Sequence, residues 1–158
     1  MKKVIVIILS ITILLFFYSF FPSNQKNNDT MKIVTKESRN ILGEALQACC
    51  FEPATGWFRD GYCNTDMNDR GVHVVCAIMT DEFLNYSASC GNNLKTPAPN
   101  YGFPGLKAGD KWCLCLSRWK EAMEAGLAPP IVSAGTHEKA LEVVSLEDLK
   151  RHEYVEQE

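Results

Sequence analysis

The sequence predicts an α+β (mixed α/β) fold: one compact domain with a small mixed sheet packed by three to four helices, preceded by an N-terminal transmembrane helix. Two observations carry this reading. From residue 72 onward, β-branched apolar runs alternate with helix-patterned stretches that start at capping residues. Before that, Val4 to Phe21 contains no charge and is followed by a polar stretch with NQKNND at its centre. The chain of 158 residues therefore divides into an anchor or signal over 1–21, a linker over 22–39, and a cysteine-rich globular part over 40–155.

The apolar run has the length of a bilayer's hydrocarbon core, about 27 Å as a helix. A cleaved signal is the competing reading. Its cleavage site wants small residues, whereas SFFPSN offers Phe20 and Phe21. Lys2 and Lys3 would stay inside, giving a single-pass protein with its domain outside the cytoplasm. Residues 4–21 thus make the membrane a partner. A net charge of −3 with no basic cluster excludes the usual nucleic-acid surface.

In the globular part, WFRDGYC reads as a hairpin around Asp60-Gly61. VHVVCAIM (72–79) reads as a buried strand, and Thr80 then caps a helix that ends at Gly91. Residues 95–110 form a long Pro/Gly loop, the place for a small-molecule site walled by Tyr101 and Phe103. KWCLC is a second strand, and Ser117 is the expected cap of the helix that follows. PPIVSAG is extended. THEKALEVV and SLEDLKRHEY are helices, the latter with Ser145 and Asp148 at capping-box spacing.

Seven cysteines, Cys49, Cys50, Cys63, Cys76, Cys90, Cys113 and Cys115, make chemistry at sulfur the leading question. In an extended KWCLC, Trp112, Leu114 and Leu116 face the core, and Lys111, Cys113 and Cys115 share the other face. Cys113 and Cys115 lie about 7 Å apart, too far to bond each other without a bend but able to share an ion. Both thiols precede a helix N-terminus by a few residues, and that helix end and the nearby Lys111 favour thiolate. The metal candidates are therefore Cys113, Cys115, Cys49, Cys50 and His137, with zinc or another thiophilic ion as the cofactor. Packing cysteines and a redox or catalytic thiol are the alternatives. Cys76 reads as simple core, Cys63 as structural, and Cys90 as the odd thiol. His73 and Cys76 fall on opposite faces of one strand and should not bind one ion. If the domain is exported, disulfides can form, and six cysteines pair in too many ways to choose.

The stretches NILGEALQACC, TGWFRDGYC, GVHVVCAIMTDEFL, TPAPNYGFPGLKAGDKWCLCLSRW, THEKAL and VSLEDLK resemble the bacterial family called domain of unknown function 2237. The resemblance covers almost all of the globular part. It places Cys49, Cys50, Cys63, Cys76, Cys113, Cys115, His73 and His137 on the family pattern and leaves Cys90 off it; Asn93 stands where the pattern usually has Asp. It implies a compact domain without an anchor, which weighs against export disulfides, and it implies no activity. Three functions follow: an anchored domain with a thiol or metal site, a structural or interaction module with packing cysteines, or a small-molecule enzyme using the 96–110 loop.

Overall fold

A computed structural model describes residues 38–156. The apolar run over 4–21, most of the linker and the last two residues lie outside the described residues. Among those described, no helix is long and apolar enough to cross a membrane.

The fold is a small α+β domain built on a two-stranded antiparallel sheet and three helices. Strand β1, Val75–Ile78, pairs with β2, Lys111–Leu114, in the register Val75 to Leu114 and Cys76 to Cys113. Both are shorter than the apolar runs that contain them. On the other edge of β1, the Ile78 amide donates to Pro130 O and the Val132 amide donates to Cys76 O. The extended PPIVSAG segment thus flanks β1 without becoming a full strand, because a 3-10 turn over Ser133–Gly135 ends it.

Helix α1, Asp81–Ser89, starts where Thr80 Oγ1 accepts the Phe83 amide at 3.1 Å. It stops at Gly91, whose φ of +81° is open to glycine at no steric penalty. Helix α2 spans Leu116–Glu124 and buries Leu116, Trp119 and Ala122. Its N-cap is Cys115, not Ser117: strand and helix meet with no loop between them, so the thiol itself stands at the helix entrance. THEKALEVV forms a 3-10 turn over Glu138–Glu142 in place of the expected helix. Helix α3, Leu146–Arg151, is capped as the spacing predicts, with Ser145 Oγ accepting the Asp148 amide.

The expected hairpin over 57–63 is not formed. Asp60 Oδ1 accepts the Tyr62 amide, and Gly61 donates to Thr55 O, so the Asp-Gly pair closes a compact loop. One apolar core holds Trp119, Phe83, Met79, Leu84, Ile131 and Leu149 between the helices and the sheet. A second, smaller core consists of sulfur: Cys49, Cys63, Cys76 and Cys113, with Val132 against it.

Candidate functional site

The expected site residues fall in different places. Cys49 is bonded to Cys76, and Cys63 to Cys113, in two buried disulfides. Cys76 is therefore a cross-link and not plain core, and Cys63 is structural as expected. Cys113 and Cys115 do not share a partner: the first turns into the sulfur core and the second leaves it. Cys50 is a free thiol whose Sγ lies 3.1 Å from Glu52 O. Cys90 is also free. His137 caps the 3-10 turn, its Nδ1 accepting the Lys139 amide at 3.0 Å. Burial holds its pKa below the usual value, so the ring is neutral. In the 95–110 loop, Asp110 Oδ2 accepts the Lys107 amide and Phe103 packs edge-on to Trp112, while Tyr101 stands 82% exposed.

Cys115 has a partner of another kind. Its Sγ is 3.1 Å from His73 Nε2. His73 Nδ1 is 2.6 Å from Asp69 Oδ1. The three form a line of sulfur, imidazole and carboxylate, the arrangement in which a base activates a nucleophile and a third group orients the base.

Local sequence explains each position. Asp66 Oδ1 accepts the amides of Asn68 and Asp69, closing a turn. That turn aims Asp69 back at the chain, where its Oδ2 accepts the His73 amide at 2.8 Å and the Thr65 hydroxyl at 3.0 Å. Asp69 is fully buried and His73 is about one-third exposed. Val72 sits at φ +49°, a left-handed conformation rare for a β-branched residue, and its carbonyl accepts the Leu116 amide. This bond ties the loop to the start of α2. Gly71 fits because a Cβ there would lie 2.5 Å from His73 Cε1 and 3.0 Å from Cys115 Sγ. The Trp57 ring stacks over the imidazole, centroids 6.2 Å apart and planes 10° from parallel.

The electrostatics agree with the geometry. The hydrogen bond to Cys115 raises the His73 pKa to about 9, against burial, and Asp69 adds to the rise. Burial alone would raise the Asp69 pKa. The His73 amide and ring, with Thr65, outweigh it and hold the carboxyl below its usual range. His73 is thus positively charged at neutral pH, between an anionic carboxylate and the sulfur. The helix entrance, at which Cys115 is the N-cap, gives the sulfur a second source of positive potential. The Leu116 amide is taken by Val72, and the first bond inside α2 runs from Trp119 to Cys115 O. Between them, the Ser117 and Arg118 amides have no acceptor within the helix and point toward the end where the sulfur lies.

A family model described as an uncharacterised protein conserved in bacteria, domain of unknown function 2237, matches residues 39–153. The chain belongs to this family. A comparison with curated proteins found no match. The matched segment contains both disulfides, the whole Asp69–His73–Cys115 line and the sulfur cluster.

The sequence puts Cys113 and Cys115 just before a helix and groups them as neighbours; in the structure Cys115 is the N-cap and its sulfur meets His73. The spacing of His73 from Cys76 argues only against a ligand pair on one strand and does not bear on Cys115. The register held the signal: Leu114 opposite Val75 brings Cys115 and His73 to the same end of the ladder. No sequence motif singles out Asp69, four residues before His73.

Proposed function

We propose that the domain acts through a nucleophilic thiol, Cys115, activated by His73 and oriented by Asp69. The observation that carries this is the 3.1 Å approach of sulfur to an imidazole whose other nitrogen meets a buried carboxylate. Chemistry of acyl-transfer type suits the parts. The thiolate attacks a carbonyl carbon, and the oxyanion forms near the first-turn amides of α2. The His73 imidazolium gives its proton to the leaving group, which departs as the Cys115 thioester forms. Water, deprotonated by the now neutral His73, then releases the acyl group.

The anchor completes the proposal. The uncharged run over 4–21 supports tethering at a membrane with the domain outside, and two buried disulfides are the kind that persist in an oxidising compartment.

The test is acylation of the full chain with p-nitrophenyl acetate, read by peptide mass spectrometry. The expected result is an acetyl group on Cys115 formed well ahead of Cys50 and Cys90, and missing in Cys115→Ala. Even labelling of the three thiols, or unchanged nitrophenol release in Cys115→Ala, would overturn the reading.

A further inference from the structure

We propose that the sulfur core is a second, redox-gated site: when its disulfides are reduced, Cys49, Cys63, Cys76 and Cys113 hold one zinc ion. It is independent of the Cys115 chemistry.

The sulfurs of Cys49, Cys63 and Cys76 all lie within 4.8 Å of one another. Cys113 is bonded to Cys63 and packs in the same sulfur core, next to this group of three. A tetrahedral tetrathiolate site, with zinc–sulfur bonds of about 2.3 Å, needs sulfurs about 3.8 Å apart. All four residues are at most 7% exposed, so the ion would be closed off from water.

Contacts other than sulfur bonds hold the backbones of Cys49, Cys76 and Cys113 in place. Cys76 and Cys113 face each other across the β1–β2 ladder. The Cys49 amide donates to Gly61 O, and Gly61 donates to Thr55 O. Thr55 Oγ1 accepts the Cys113 amide at 2.8 Å, and Thr136 Oγ1 accepts the Cys76 amide at 3.2 Å. These contacts would keep the thiols of Cys49, Cys76 and Cys113 near one another and buried after reduction, with the buried Cys63 beside them. Burying four thiols this way suits an ion that takes their protons' place.

The balance is simple. Two protein disulfides and two molecules of a dithiol give four cysteine thiols and two oxidised dithiols. One zinc ion then binds four thiolates and releases four protons. The newly made chain, before oxidation, would be in this form, with the metal standing in for the cross-links.

The experiment reduces the full chain with excess dithiol without oxygen, desalts it, adds zinc chloride, desalts again and measures zinc by elemental mass spectrometry. Cobalt substitution gives a thiolate charge-transfer spectrum as a second readout. The expected result is about one zinc per chain, about ten-fold less in Cys76→Ser, and no change in Cys115→Ser. Negligible zinc in the wild type, zinc retained in Cys76→Ser, or zinc lost in Cys115→Ser would each overturn the proposal. If reduction unfolds the chain, zinc must restore its circular dichroism; binding without refolding overturns it as well.

Discussion

At the scale of single residues, the site depends on how His73 is held. Its pKa of about 9 lies above the unfolded value near 6.5. A raised base contributes stability that is fully present below about pH 6.5 and is lost as pH rises through about 9. Asp69 is depressed, so its contribution is present above its unfolded value and lost in acid. Thermal melts from pH 5 to 10 should therefore fall on the alkaline side, and His73→Gln should flatten that limb. An unchanged limb in the variant would remove His73 as its source. Gly71 gives a second check. Gly71→Ala places a methyl against both the ring and the sulfur, and should reduce Cys115 alkylation and lower stability by about 1–3 kcal/mol, read by chemical denaturation. Little of this was legible beforehand. A sequence shows that Cys115 precedes a helix, but the Cys115–His73 contact spans 42 residues and depends on strand register.

At the scale of elements, local chemistry was the better guide. Thr80 and Ser145 cap their helices as their side chains suggest, since each bonds the amide three residues on, whatever the rest of the fold does. Thr80→Ala should cost about 1 kcal/mol in denaturant unfolding; a loss within error would mean that tertiary contacts alone hold α1. Elements decided by distant contacts were harder to read. THEKALEVV has helical composition, yet His137 donates its amide to Val74 O and caps the next turn with its ring, which leaves only a 3-10 turn. Asp60-Gly61 has the residues of a hairpin turn, yet the chain around it bonds back to Cys50 and Thr55 and no strands form.

At the scale of the whole domain, two kinds of core divide the work. Trp119, Phe83 and Leu149 fill the space between helices and sheet, while two disulfides bind the first segments, poor in regular structure, to β1 and β2. The cross-links close separations of 27 and 50 residues. In the loop-entropy account each contributes roughly 3–4 kcal/mol. Replacing Cys49 and Cys76 together by Ala should lower unfolding stability by an amount of that order, with Cys115 alkylation preserved as long as the domain stays folded. A sequence with seven cysteines shows that sulfur matters, but the pairing could be seen only once β1 and β2 were set side by side. The family resemblance weighed against disulfides, and the structure contains two.

The central claim is that His73 activates Cys115, and thiol alkylation measures it most directly. Iodoacetamide labelling of the folded full chain at pH 7, followed by mass spectrometry, compares Cys115 with Cys50 and Cys90 in one sample. The account predicts that Cys115 reacts at least about ten-fold faster than Cys50 and that His73→Ala abolishes the difference. Equal rates in the wild type, or an advantage that survives His73→Ala, would contradict it.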